Sequence, residues 1–416
     1  MFCTPPPAPP QQGRGDELLA HAQQVTVSPP SWGGAGVGCG TCRSNMVVIR
    51  EVASPQELKR YIRFPFELYQ ADPYWVPPLF ADEKTYYNPQ KNPNLRANPY
   101  QLFLAYQEQR VVGRVMGLIN QRANQLRQEK LLRWTFLDAI DDPAVTHALL
   151  RAVENWGQAQ GMEFAVGPRG FSDDEPQGAI VEGFDLRAQI AAHYNRPHLI
   201  AALAQAGYGK DVDWVCYRME VPAELPRLYQ TIYKRLQKKP FTCRNLKNKA
   251  EMRQYIIPVL RLLNDTYKDL YGFTPLYEEE FQALAEKYLP ILMPRFVHII
   301  ENQAQELIGF SVVMPDVTAG LQKARGRLFP FGFWHILRAM KTSQTLQFLL
   351  IGIKEEYRKQ GLLALFAMAL LKEVQAAGIT VAYSHLQLED NRDMNTWLEQ
   401  LDGKIFRRYR AFIKKL

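Results

Sequence analysis

Two stretches of this chain spell the same order of elements, and that duplication limits the folds open to it more than any other feature. Arg110-Val-Val-Gly113-Arg-Val lines up with Glu306-Leu-Ile-Gly309-Phe-Ser. A helical pattern over 143–160, closed by Gly161, lines up with one over 362–377, closed by Gly378. Asn195, the run Ala201 to Gly207 and a strand line up with Asn391, the run Trp397 to Gly403 and a strand. A repeat this long is no solenoid unit. It predicts an α+β chain of two tandem domains, each a central mixed sheet flanked by helices. The 416 residues also exceed what one hydrophobic core usually serves. The expected boundaries are 1–45, 46–222 and 223–416.

Residues 1–45 are rich in Pro, Gly and Gln and lack periodic apolar residues, which predicts a disordered tail without a signal peptide. Met46 is an alternative start. Cys39-Gly-Thr-Cys42 is a lone C-x-x-C with no second pair, so no metal is expected. Cys216 and Cys243 read as free thiols of a reducing, cytoplasmic setting. No run of about 18 uncharged apolar residues exists, so no transmembrane helix is expected. The net charge of +8 gathers in residues 234–253 and 403–416. No nucleic-acid motif accompanies it, so solvated surface is the preferred reading over a nucleic-acid partner.

Local patterns place the elements. Ser54 and Pro55 start a helix over 54–70. Gln101 to Tyr106 and Val111 to Ile119 alternate as a hairpin. Further strands are expected at Phe164–Val166, Trp214–Val221, Gln347–Ile353, Thr380–Leu388 and Ile405–Ile413. The strand ending at Ile353 is followed by a basic turn, Arg358-Lys359-Gln360-Gly361, and then by a helix from Leu362. Such a helix start leaves backbone N–H groups unpaired at the positive dipole end, which suits a phosphate. The first copy has Asp141-Asp142-Pro143 at the same place. Two carboxylates there repel an anion, and the proline removes a donor.

Arg358-Lys359-Gln360-Gly361-Leu362-Leu363 resembles the pyrophosphate loop of the GNAT N-acyltransferase superfamily, Arg/Gln-x-x-Gly-x-Gly/Ala, with Leu363 at the last small position. Asp72-Pro-Tyr-Trp-Val-Pro-Pro-Leu79, Phe171-Ser-Asp-Asp-Glu175, Val181-Glu-Gly-Phe-Asp185, Leu328-Phe-Pro-Phe-Gly332, Glu389-Asp-Asn391 and Arg408-Tyr-Arg410 resemble a bacterial branch of tandem, N-acetyltransferase-like proteins. The resemblance spans about 46–416 and implies two GNAT-like domains. It implies acyl transfer from an acyl-coenzyme A, most simply acetyl-coenzyme A, to the amine of a small-molecule or lipid-like acceptor. The backbone of Gln360, Gly361, Leu362, Leu363 and Ala364 would hold the pyrophosphate, with Arg358, Lys359 and Asn391 beside it. Asn391 reads equally as a helix cap.

Such enzymes use a base for the amine proton and an acid, usually a Tyr seven residues after the Asn, for the leaving thiolate. Here that position is Leu398. Substitutes are Tyr383 and His385 on the second strand of the parted pair and Tyr409 on the final strand. Glu389 is a base candidate, or a loop carboxylate paired with an arginine. Asp173, Asp174, Glu175 and Glu182 would hold a cationic amine across a cleft, or else line a solvated loop. Two other classes remain open: a scaffold that kept the fold and lost the chemistry, and an aminoacyl transferase using charged tRNA, since peptidoglycan-bridge enzymes also pair two GNAT domains. The oligomeric state is left open.

About thirty residues separate Pro315 from Gln347, longer than connections usually are. Phe329, Phe331, Phe333, Trp334, Ile336 and Leu337 are expected to pack on a partner surface: the domain interface, or a wall beside the thioester with Trp334 selecting long acyl chains. Arg325, Arg327, Arg338 and Lys341 also suit a peripheral membrane contact.

Overall fold

The computed structural model describes residues 46–172 and 175–416. The expected tail, its C-x-x-C, Asp173 and Asp174 lie outside them. The first half runs β1 (Val47–Glu51), α1 (Pro55–Leu68), α2 (Phe80–Tyr86), α3 (Pro93–Ala97), β2 (Tyr100–Gln107), β3 (Arg110–Leu118), α4 (Gln121–Arg127), β4 (Leu131–Ala139), α5 (Pro143–Ala159), β5 (Phe164–Gly167), β6 (Ala179–Glu182), α6 (Pro197–Gln205) and β7 (Gly209–Glu220). The second runs α7 (Arg227–Leu236), β8 (Thr242–Asn245), α8 (Lys249–Tyr267), α9 (Glu278–Tyr288), β9 (Val297–Glu301), β10 (Leu307–Pro315), α10 (Thr318–Ala324) and α11 (Gly332–Thr342). It continues with β11 (Thr345–Ile353), a 3₁₀ turn (Glu355–Gln360), α12 (Leu363–Ala376), β12 (Val381–Tyr383), β13 (Gln387–Leu388), α13 (Arg392–Gln400) and β14 (Lys404–Lys415).

Local chemistry explains the helix starts. The Ser54 hydroxyl accepts from the Glu57 N–H at 3.2 Å, and the Glu57 carboxylate accepts from the Ser54 N–H at 3.0 Å. This reciprocal cap satisfies two of the donors that a helix start orphans. Asp142 caps α5 by accepting from the Ala144 N–H at 2.9 Å. In each half the helix between the two parallel strands packs its apolar face into the core. Val145, Leu149 and Val153 of α5 are buried in the first core. Leu370, Leu371 and Val374 of α12 are buried in the second. Burying such side chains is worth about 1.5–3 kcal/mol each.

The two half-sheets join into one 14-stranded sheet, in the order β1-β2-β3-β4-β5-β14-β7-β12-β11-β10-β9-β8, with β6 added beside β14 and β13 beside β7. Each half supplies the strand that completes the other. β14 lies between β5 and β7, with Phe412 opposite Gly167 and Ile405 opposite Tyr217. β7 in turn pairs with β12, Ala382 opposite Met219. A cut after residue 222 would therefore take a strand from each sheet. The duplication shows in the pairing, because each half contains one parallel pair. These are β4 with β5 and β11 with β12.

One expectation fails. The aromatic insertion forms α10 and α11, but Phe329, Phe331, Phe333, Trp334 and Leu337 are exposed, Phe329 by 78% and Trp334 by 51%. The hairpin of helices packs through its small residues instead. Gly320 lies so close to α11 that a Cβ there would meet the His335 carbonyl at 2.7 Å.

Candidate functional site

The parallel strands β11 and β12 pair only from Thr345↔Val381 to Gln347↔Tyr383 and then part. A cleft of about 250 Å³ opens between them, lined by Phe348 to Ile353 on one side and Ser384 to Leu388 on the other. The corresponding opening in the first half is filled by its own chain. Beyond Arg133↔Val166 the Arg169 N–H donates to the Trp134 carbonyl at 2.9 Å. The buried Arg133 guanidinium donates to the carbonyls of Gly170 and Phe171 at 3.0 and 3.1 Å. The long insertion after β5 is thus a plug, and its far end, Glu175 and Gln177, reaches the cleft of the second half.

At the α12 end of the cleft, Gly361 has φ of +82° and closes the 3₁₀ turn. A Cβ there would lie 2.8 Å from Ile232, and the Arg235 guanidinium is 4.0 Å away. Among the described residues, no acceptor is found for the N–H groups of Gly361, Leu362 and Leu363, and no side chain caps α12. At the equivalent helix of the first half, Asp142 fills that role. The contrast leaves one uncapped, cation-flanked helix start, a fitting cradle for a pyrophosphate.

The parted strand edge is partly held by side chains. The Tyr267 hydroxyl donates to the Ile351 carbonyl at 3.1 Å and lies 3.3 Å from the Ile351 N–H. Arg358 lines the cleft but turns its guanidinium inward, donating to the carbonyls of Ile353 and Thr266 at 3.1 and 3.0 Å. Lys359 and Gln360 are exposed, while Leu362 and Ala364 are buried in the core. Leu363 faces the cleft.

The strand expected over Thr380–Leu388 is interrupted. Tyr383 stands opposite Arg218 and Gln387 opposite Val215, so one extra residue is accommodated between them. The Ser384 hydroxyl takes the Tyr217 N–H at 2.8 Å, in place of a ladder bond. Such a bulge re-aims side chains, and His385 and Leu386 line the cleft here. Burial lowers the His385 pKa to about 4, partly offset by its hydrogen bond to the Ile190 backbone. The imidazole is therefore neutral at physiological pH, with one nitrogen left as an acceptor.

The other sequence candidates are spread more widely. Asn391 lines the cleft and also caps α13, accepting from the Met394 N–H at 3.4 Å. Leu398 lines the cleft as well. Glu389 lies outside it, bound by Lys210 and by Arg408 at 3.1 Å. Glu182 is an exposed partner of Arg408 at 3.3 Å. Tyr409 is wholly buried, opposite Trp214 on the neighbouring strand, with its hydroxyl pushed up to about 12 by burial. Tyr383 packs on the Phe406 ring, centroids 4.7 Å apart, away from the cleft. Trp334 sits on α11 and does not line the cleft. Glu175 is held in place by the Tyr86 hydroxyl at 2.8 Å and the Phe171 N–H at 3.0 Å.

Several lining residues carried no signal in the sequence. Tyr267, Leu270, Tyr271 and Phe273 come from the end of α8 and the loop after it. Tyr271 donates to Asp211 and lies under the Arg169 guanidinium, 4.8 Å from the ring centroid. Burial raises its pKa far above the usual phenol value.

No family model matches the chain. It is 29% identical over 372 residues to a protein of Caulobacter vibrioides named bacterial ceramide synthase, a match that covers 88% of this chain and 96% of the relative. It is 27% identical over 379 residues to protein YghO of Escherichia coli, covering 89% and 95%. Among solved structures, a tandem GNAT protein from the clavulanic acid biosynthesis pathway superposes with a TM-score of 0.50 at 12% identity, over 89% of this chain and 98% of that one. A GCN5-related glucosamine N-acetyltransferase region of a fungal multi-domain β-N-acetylglucosaminidase gives a TM-score of 0.50 at 11% identity, over 90% of this chain and 38% of that one. The first of these matches runs nearly the full length of both chains, and the chain is accordingly a tandem GNAT-fold protein.

Proposed function

We propose that this protein is an N-acyltransferase that moves an acyl group from acyl-coenzyme A to the amine of a long-chain amino alcohol. The observation that carries the reading is the open cleft between β11 and β12, which ends at the uncapped start of α12. The N–H groups of Gly361 to Leu363 and the nearby Arg235 would hold the pyrophosphate. The unpaired part of the β11 edge offers backbone groups to an extended amide-bearing arm, as an added strand would use them. Phe348, Leu349, Leu363, Leu386 and Trp397 give the cleft apolar walls that exclude water. When bound, the coenzyme supplies an activated thioester carbonyl.

The chain's own residues supply the remaining steps. Glu175 faces the cleft from the first half and would hold the acceptor's ammonium, which gives one proton to water before the neutral amine, now carrying a lone pair, attacks the thioester. His385 accepts the proton that the attacking nitrogen releases as its bond to the acyl carbon forms. With a pKa of about 4, the resulting imidazolium is a strong acid and gives that proton to the sulfur as the C–S bond breaks. One residue then does the work of base and acid, and a tyrosine at position 398 is not needed.

The acceptor class rests on the relative named ceramide synthase, since a ceramide is the amide of a fatty acid and a long-chain amino alcohol. The test combines the protein with a long-chain acyl-coenzyme A and a long-chain amino alcohol, reading thiol release and the amide mass. Equimolar thiol and amide are expected. Binding of both compounds without thiol release would establish a non-catalytic protein instead.

A further inference from the structure

The outer face of α11 is built the wrong way round for a helix in water. A surface helix normally turns its apolar side chains to the core. Here Phe333, Trp334 and Leu337 all point outward. The turn before the helix adds Phe329 and Phe331, exposed by 78% and 72%. These side chains stand on a firm base. The Gln322 amide donates to the carbonyls of Pro73 and Trp75 at 2.8 and 2.9 Å, and the Phe80 N–H donates to the Gly326 carbonyl at 2.8 Å. The patch is therefore a fixed surface shared between the two halves, large and aromatic enough to call for an occupant.

The charges beside it say which one. Lys323, Arg325, Arg327, Arg338 and Lys341 are all exposed. No Asp or Glu occurs between Asp316 and Glu355. The Arg338 guanidinium lies over the Trp334 ring, 5.5 Å from its centroid, so cation and aromatic share one plane of approach. Aromatic residues that meet the acyl boundary, ringed by Lys and Arg that meet phosphates, form the pattern of a helix lying in a membrane interface. A membrane interface asks only for a fixed apolar surface ringed by cations, which is what this face supplies.

We propose that α11 and the turn before it dock the protein on an anionic membrane surface, with Phe329, Phe331 and Trp334 inserted below the phosphates. The inference stands on this surface alone and does not rest on the acyl-transfer reading. If both hold, the enzyme draws its lipid-like amine from the bilayer.

The experiment is flotation of the full chain with phosphatidylcholine vesicles containing about one-third phosphatidylglycerol, and with phosphatidylcholine alone. The protein is expected to float with the anionic vesicles and far less with the neutral ones. The triple change Phe329→Asp, Phe331→Asp and Trp334→Asp removes only exposed side chains and should lower the bound-to-free ratio at least about tenfold. Arg338→Glu with Lys341→Glu should abolish the preference for anionic vesicles. Raising salt from about 0.1 to about 1 M shortens the screening length from about 10 to about 3 Å and should act in the same direction. Equal flotation of wild type and triple variant would overturn the proposal. So would a chain that ignores vesicles and forms a dimer dissolved by the triple change, because the occupant would then be a second copy.

Discussion

Glu83 is a buried carboxyl that the fold holds at a cost, and removing its charge should stabilise the protein in a pH-dependent way. It lies on α2, 9% exposed, beside Arg114, Asp138 and Tyr87, and one of its oxygens has no hydrogen-bond partner. Burial pushes its pKa from the ordinary 4.5 to about 7, against the pull of Arg114. The folded state thus binds the proton more tightly than the unfolded state does. That stabilisation is fully present below pH 4.5 and is lost as pH rises through about 7. At about 1.36 kcal/mol per pH unit, the interval corresponds to about 3 kcal/mol. Glu83→Gln keeps the shape and never ionises. Its stability relative to wild type should rise by about 3 kcal/mol between pH 4.5 and pH 8. His298, which is buried, and the partly buried His193 and His385, each lowered to about 4 by desolvation, give stability that is lost as pH falls below 6.5. They act equally in both proteins and cancel in the difference. Urea unfolding of the two proteins at several pH values measures it. A difference that stays flat from pH 5 to 8 would refute the reasoning.

Three further outcomes follow from the site. His385→Asn should lower kcat by a factor of about 10² to 10⁴ while leaving KM for the acyl donor nearly unchanged, read from initial rates of thiol release. Gly361→Ala must hold a φ of +82° and meet Ile232; it should cost about 1–2 kcal/mol of stability and weaken coenzyme A binding, seen in thermal melts and titrations. Tyr86→Phe removes one donor that fixes Glu175 and should raise KM for the amine several-fold, about 1 kcal/mol, with the acyl-donor KM unmoved.

Much of the architecture could be read from the chain because the two copies repeat the same local code. The hairpin at Gln101–Ile119, the helix over 143–160 and the strand into the Gly361 turn each follow from short-range patterns, and each is present within a residue or two. The exchange of β7 and β14 between the halves could not be read. Alternation along Ile405–Ile413 shows that a strand has a buried face but does not say which neighbour it pairs with. The site divides the same way. The turn at Gly361 is local chemistry, whereas Tyr267 and Tyr271 reach the cleft only because α8 packs across β10 and β11. The stretch after β5 reads as an acidic loop, but its role as a plug depends on Arg133, distant in sequence. The aromatic run at Phe329–Leu337 shows the limit of composition. Hydrophobic residues predict burial only where a partner surface lies within reach, and here they face outward.

The central claim is that the cleft between β11 and β12 is an acyl-coenzyme A site. Calorimetric titration of the full chain with a long-chain acyl-coenzyme A, repeated with Gly361→Asp, tests it most directly. The account predicts one site per chain, saturating below about 1 mM. In the variant it predicts loss of the heat, because the new carboxylate would enter the pyrophosphate cradle. Absence of binding to the wild-type chain, or undiminished binding to the variant, would contradict it.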